Sequence, residues 1–468
     1  LWGVKTAVEF GSTTALEVRK VLIYLWAILF LSCSDKDPVI PVHQDKDSEA
    51  ELSDTELLEL TQRETFRYFW DFAEVNSGAA RERFHPNNPE MDSFTVTTGG
   101  SGFGLMAIIT GIERGYITRS EAVTRLNKTL SFFKSADRFH GAWPHWIDGR
   151  SGRVIPFSPK DNGGDLVETA FLVQGLICLY EYFKAGNDLE SDLAQTAYTL
   201  WKEVEWDWYT QGQSVLYWHW SPDFGFEMNM PLRGYNETLI TYILAAAAPD
   251  YGIRPEVYQQ GWAQNGAIQS EQSAYGYSLG VNHVGNQSRG GPLFWAHYSF
   301  LGLNPNNLSD TYSNYELVAR NHARINYEYC LENPKNFVAY GSDCWGLTAS
   351  YTRNSDGGIG YAAHSPSNDL GVISPTAALA SMPYMPEESM RAMRYFYNNR
   401  KLLLGPAGFY DAFSPQQNFW VAQAYLAIDQ GPIVIMIENF RSGLLWNLFG
   451  QNEDVKNGIQ LLEFKYEN

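Results

Sequence analysis

Three carboxylates, Asp161, Asp165 and Glu168, fall within eight residues in the stretch DNGGDLVETAF. A fourth, Glu237, sits in RGYNETLITYIL. Carboxyl groups gathered this way suit cleavage of a glycosidic bond. That reaction needs a proton donor and a second carboxylate, as nucleophile or as base for water. The donor must keep its proton near neutral pH, so burial or a like charge must raise its pKa. A helix N-terminus pushes the other way, and the sequence leaves open which effect wins.

Both stretches also have a plainer reading. If a helix starts near Gly164, Asp165 is its N-cap and Asp-x-x-Glu is a capping signature. Asn236 would cap a second helix, with Glu237 in its first turn complementing the dipole. Capping does not need Asp161, however. The spacing of four and three residues also brings Asp161, Asp165 and Glu168 toward one side of a helical turn. Each stretch opens an apolar helix and follows loops rich in Trp and Tyr.

These helices belong to a mainly α chain. Ser53-x-x-Glu56 and Thr118-x-x-Glu121 are capping boxes. They start helices running to about Ala73 and across 118–136. Further helical periodicity covers 165–184, 188–204, 237–247, 293–301, 311–330, 374–382, 387–399, 418–428, 432–447 and 453–464. AWPHWIDGRSGRVIPF reads as a hairpin turning near Asp148-Gly149, and QSVLYWHWSPDFGFEM as an extended excursion. Residues 356–369 read as an ordered loop. Helices apolar all round, such as TVTTGGSGFGLMAIITGIERG and ETLITYILAAAA, must be buried. They alternate with charged amphipathic ones. Two concentric layers, an (α/α) toroid, account for that alternation better than an irregular bundle. No short repeat is evident.

The composition narrows the partners. The 468 residues are 44% hydrophobic, 15% aromatic and 19% charged, with 15 Trp, 28 Tyr and a formal charge of −19. No basic stripe for nucleic acid is present. The acidity disfavours anionic membranes and uronate polymers, and therefore a polysaccharide lyase. A neutral sugar polymer fits, with Trp and Tyr as stacking surfaces. A non-catalytic glycan binder would use the same aromatics, but it has no need of acids at two helix starts.

Near the N-terminus Arg19 and Lys20 precede VLIYLWAILFL and then SCSDKD, the pattern of a secretory leader. Cys33 is the expected lipidation site, as in bacterial lipoproteins. Residues 1–33 are then leader, with translation starting at Val18 as one reading. Residues 34–50 are a flexible tether, and 51–468 form one catalytic domain. An exported location follows, periplasmic or at the outer membrane of a Gram-negative cell. The lipid is the sole membrane contact, and the protein is expected to be a monomer. Cys178 reads as core, while Cys330 and Cys344 could pair. No HExxH, P-loop, GxSxG or CxxC is present, and no metal or cofactor is called for. The glycines of GSGFG read as helix packing. His364 and Asp411, the latter in GFYDAF, are candidate sugar contacts. Asp429 opens an apolar helix as a simple cap.

DNGGDLVETAFLVQGL, GYNE, GFYDAF and IDQGPIVIMIENFRSGLLWNLF together resemble the bacterial glycoamylase-like domain. The resemblance spans about residues 53–464, and it looks closest to the endo-β-1,2-glucanases of glycoside hydrolase family 144. It implies an (α/α)6 toroid and inverting hydrolysis of β-1,2-glucan to sophoro-oligosaccharides. It further implies Glu237 as proton donor, with Asp165, Glu168 and Asp161 organising water or substrate. Trp143, Trp218, Trp220, Arg233, His364 and Asp411 become expected subsite contacts. An exo-acting glucosidase or sophorose-releasing enzyme remains the alternative.

Overall fold

The Glu56 backbone N–H donates to Ser53 Oγ at 3.3 Å and the Ser53 N–H to the Glu56 carboxylate at 2.8 Å. This capping box starts helix α1 (Asp54–Trp70). The structure is a computed structural model that describes residues 51–354 and 356–467. The expected leader, the lipidation site Cys33 and the tether lie outside the described residues. Capping boxes also start α3 (Arg119–Ser135), at Thr118 and Glu121, and α5 (Asp188–Lys202), at Asn187 and Glu190. Each box satisfies N–H groups that the first helical turn leaves unpaired.

The amphipathic helices alternate with buried ones. Helix α2 (Thr98–Glu113), α4 (Leu166–Phe183), α6 (Leu239–Ala247) and α9 (Ala427–Ser442) are buried over almost their whole length. The chain between α6 and α9 carries α7 (Tyr315–Glu332) and α8 (Pro386–Asn398), and α10 (Leu444–Gln451) and α11 (Glu453–Leu461) close it. Helix α2 lies against α4 and α9, α4 against α5, α6 and α10, and α6 against α11. Each Leu, Val, Ile or Phe sealed in these contacts contributes about 1.5–3 kcal/mol. Helix α4 is long and apolar enough to cross a membrane, yet 89% of it is buried inside the protein. It is a core helix.

Glycines set the closeness of α2. A Cβ on Gly99 would stand 2.6 Å from Glu168 Oε2, and one on Gly100 2.5 Å from the Ala427 Cβ. One on Gly102 would collide with the Phe171 carbonyl. The GSGFG stretch therefore allows close backbone approach, as its composition predicts.

The strands are short, two to five residues each. The expected hairpin forms from Trp146–Asp148 and Val154–Ile155. Several expectations are corrected. Residues 418–426 are not helical, and only Ala427 and Ile428 of the expected segment belong to a helix, the start of α9: Trp420–Ala422 pairs with Ala412–Ser414, and Tyr425–Leu426 with Arg83–Phe84. The 356–369 loop contains Ile359–Ala363, which forms an antiparallel hairpin with Ala349–Arg353. Residues 293–301 form two short 3-10 turns. The helix expected at 432–447 is two, α9 and α10, broken at Gly443, whose φ of 72° ends α9 in the left-handed region. Cys178, Cys330 and Cys344 are buried and free, so the last two form no disulfide.

Candidate active site

Asp165 is the N-cap of α4. Its Oδ1 accepts the N–H groups of Val167 at 3.0 Å and Glu168 at 2.9 Å. The capping reading is thus correct for Asp165, but it accounts for only one oxygen. Oδ2 lies 3.1 Å from Nδ1 of His145, the residue just before the hairpin strand Trp146–Asp148. His145 in turn stacks on Phe157, with centroids 4.0 Å apart. Burial alone would drive the His145 imidazolium to lose its proton. The charges of Glu168, Asp165 and Glu82 outweigh that and raise its pKa to about 10. A fixed positive charge therefore stands beside the two α4 carboxylates.

Glu168, one turn along, is buried. Its Oε2 accepts the Gly99 N–H at 2.8 Å, at the start of α2. Burial raises its pKa to about 7, with the His145 charge opposing and the Asp165 charge reinforcing the shift.

Glu237 stands just before α6, not within it. Asn236 Oδ1 accepts the N–H and Oγ1–H of Thr238, an Asx turn that holds the approach to the helix. Ser299 donates to the Glu237 carbonyl at 2.5 Å and accepts from the Ile240 N–H at 3.1 Å. The Glu237 peptide is therefore pinned, and one oxygen of its carboxyl, Oε2, is buried with no hydrogen-bond partner. Burial lifts its pKa to about 7, and the charges of Glu168 and Asp165 add to the rise. The carboxyls at the α4 start and at the α6 approach are thus close enough to act on one another electrostatically.

Two further carboxyls close the group. Asp411 Oδ2 accepts the Tyr351 N–H at 2.7 Å. Asp429, in the first turn of α9, is buried beside it. Burial, reinforced by the Asp411 charge, raises Asp429 well above the usual carboxylate range. Two like charges so close cannot both ionise, and Asp429 keeps the proton. Asp429 caps nothing: the N-cap of α9 is Leu426, and no side-chain cap bond forms there. The retained proton joins Asp429 to Asp411 in a side-chain hydrogen bond, so within this pair each is the other's partner, while Glu237 Oε2 has none. An unpaired buried oxygen costs about 1–3 kcal/mol. Such carboxyls at one place, with a donor still protonated near neutrality, can protonate a leaving oxygen and direct a water.

The other expected contacts are distributed differently. Asp161 is buried, with Oδ1 2.9 Å from His219 Nε2 but without the alignment of a hydrogen bond. His219 pairs with Asp165 across the Asp165–His219 and Gly164–Trp220 register, so the pleat sends Trp220 to the opposite face. There Trp220 stands edge-on to His140, at 4.9 Å, beside Trp208. It turns away from the carboxyls. Trp218 is half-buried, and its carbonyl accepts the Leu166 N–H at 2.8 Å, so its backbone ties down the α4 start.

Trp143 is fully buried, and its indole N–H donates to the Phe133 carbonyl at 2.9 Å. It cannot stack on a sugar. Arg233 is exposed and donates to the Gln260 carbonyl at 3.0 Å, away from the carboxyls. His364 is buried with both ring nitrogens unpartnered, and burial lowers its pKa to about 4.

Sequence reasoning missed His145, Glu82 and Arg83, and it gave Asp429 the wrong role. Arg83 reaches Glu82 at 3.1 Å and the Tyr351 hydroxyl at 2.9 Å, supplying the site's guanidinium. Among the described residues no group of three His, Cys, Asp or Glu is arranged to hold a metal ion.

Comparison with known proteins is consistent with this geometry. Residues 229–453 match the family model described as "Putative glucoamylase". A curated relative, the exo β-1,2-glucooligosaccharide sophorohydrolase (non-reducing end) of Parabacteroides distasonis, is 47% identical over 431 residues. That match covers 88% of this chain and 58% of the relative, so the chain spans little more than half of its length. A solved endo-β-1,2-glucanase from Chitinophaga pinensis, in complex with sophorotriose and glucose, is 55% identical. It covers 89% of this chain and 99% of its own, with a TM-score of 0.86. An endo-β-1,2-glucanase from Talaromyces funiculosus is only 12% identical over 87% of this chain and 90% of its own. With a TM-score of 0.62 it shares the fold alone.

Proposed function

Because this chain belongs to the glycoamylase-like family of glycoside hydrolases, we propose that it hydrolyses β-1,2-glucan to sophoro-oligosaccharides. The observation that carries this reading is Glu237: a carboxyl on a pinned peptide, with a partnerless buried oxygen and a pKa raised to about 7, within reach of the Glu168 and Asp165 charges. Glu237 is the proton donor. Glu168 and the ionised member of the Asp411–Asp429 pair organise the attacking water, with inversion at the anomeric carbon. Asp165 and His145 orient Glu168. Asp161 and His219 border the group, and His364 and Asp411 stand toward the substrate.

The alternation of buried and half-exposed helices supports an (α/α)6 toroid with the carboxyls at one rim. Export through the leader and anchoring at Cys33 complete the proposal, with a neutral glucan as the one macromolecular partner. Endo action is favoured by the likeness to the Chitinophaga pinensis enzyme. Release of sophorose from chain ends is the second reading, favoured by the Parabacteroides distasonis relative.

The test is digestion of linear β-1,2-glucan beside starch, with products sized over time. A spread of oligosaccharides early in the digest supports endo action, and disaccharide alone supports the second reading. Activity on starch without activity on β-1,2-glucan would overturn the substrate.

A further inference from the structure

Tyr298 stands where the helices bearing the carboxyls converge. Its ring packs against Phe171 at 5.5 Å, one turn along α4 from Glu168. It packs against Phe103 at 5.3 Å, one turn along α2 from Gly99, the residue that binds Glu168. Phe103 in turn fills the space at Gly431, two residues after Asp429 on α9. The next residue in the chain, Ser299, holds the Glu237 carbonyl. Phe294 covers the ring further, at 4.9 Å, and the Tyr298 carbonyl is fixed by Gln174 at 3.0 Å.

The position is rigid and almost sealed, with 5% of the residue exposed. Yet the Tyr298 hydroxyl makes no hydrogen bond among the described residues. Buried tyrosines usually find a partner for this group. Phenylalanine would fill the same aromatic packing, so the packing does not call for the hydroxyl. The aromatic walls cover the ring, and the hydroxyl lies within electrostatic reach of Glu168 and Glu237. Burial above all, reinforced by the neighbouring carboxyls, keeps it a neutral phenol and so a hydrogen-bond donor.

We propose that the Tyr298 hydroxyl donates a hydrogen bond to the sugar unit held between Glu168 and Glu237, which makes Tyr298 a catalytic residue of the hydrolysis proposed above. The inference rests on that reading of the reaction. A donor on a rigid ring fixes the reacting sugar without competing for the proton on Glu237.

Tyr298→Phe removes one oxygen atom and keeps the packing. It should fold as the wild type does and lose at least about tenfold in kcat on β-1,2-glucan. Sophorotriose analogues, each lacking one hydroxyl, supply the second measurement. One of them should bind the wild type at least about tenfold more weakly than sophorotriose, and that penalty should vanish in Tyr298→Phe. If the wild type cleaves β-1,2-glucan and Tyr298→Phe matches it in kcat, KM and response to the analogues, this inference falls and the function stands. If the wild type neither binds sophorotriose nor cleaves the glucan, the functional reading falls and takes the inference with it.

Discussion

The Gly99 N–H meets the Glu168 carboxylate at 2.8 Å, and no side chain can be added at Gly99 without moving that carboxylate. A Cβ there would stand 2.6 Å from Oε2 and 2.9 Å from the Phe171 ring. Gly99→Ala should therefore displace Glu168 and lower kcat on β-1,2-glucan at least about tenfold. Overpacking should cost about 1–3 kcal/mol of stability as well. Wild-type turnover in this variant would show that the contact does not position the acid.

Asp165 caps a helix and also faces His145, and two substitutions separate these tasks. Asn caps as well as Asp, so Asp165→Asn should lose only the stability its charge supplies beside His145, while Asp165→Ala should lose about 1 kcal/mol more, that of the cap. Both should lose activity, because each removes the charge beside His145, Glu168 and Glu237. Loss of activity in the Ala variant alone would reduce Asp165 to a cap.

Glu237→Gln should reduce the rate at least about 100-fold if Glu237 is the general acid. The same change tests its burial. The Glu237 pKa is raised in the folded state, so its contribution to stability is full below about 4.5 and lost as pH rises through about 7. Gln cannot ionise. The variant should match the wild type in melting temperature at pH 4 and exceed it at pH 8, by about 1–3 kcal/mol in stability. Equal melting temperatures at pH 8 would contradict a raised pKa.

Activity should show the same group from the other side. The donor works while protonated, so kcat/KM should fall as pH rises past about 7. The Asp165 charge helps raise the Glu237 pKa, so whatever rate Asp165→Asn retains should fall at lower pH than in the wild type. A limb that stays in place would mean that Asp165 does not act on Glu237.

Trp143 should matter only to the fold. Trp143→Ala opens a cavity in a sealed core and should cost about 3–5 kcal/mol. At a temperature where the variant remains folded, its KM for β-1,2-glucan should equal that of the wild type. A large rise in KM would restore Trp143 as a sugar contact.

What could be read from the sequence follows the range of the interactions. The start of α4 was legible because a cap acts over three residues, from Asp165 to Glu168. The amphipathic helices α3 and α5 were legible for the same reason. His145 acquires its role from Asp165, twenty residues away, and Asp429 from Asp411 across a strand pair; neither leaves a local pattern. The stretch 418–428 carries helical spacing of apolar residues. Its residues up to 426 become strand because Ala412–Ser414, close in the chain, and Arg83–Phe84, far from it, offer them partners. Trp220 was misplaced because the pleat of a two-residue strand, and not its neighbours in sequence, decides which way it faces.

The hairpin of Ala349–Arg353 and Ile359–Ala363 is joined to Asp411 by a single amide, that of Tyr351. An engineer exchanging this hairpin with that of a homologue, to change the product length, would be altering the ionic state of the centre at the same time. A graft shifted by one residue would remove that amide from Asp411 and push its pKa still higher, toward the neutral acid. Redesign of this wall is therefore safe only from the turn outward, with the register at 351 left intact.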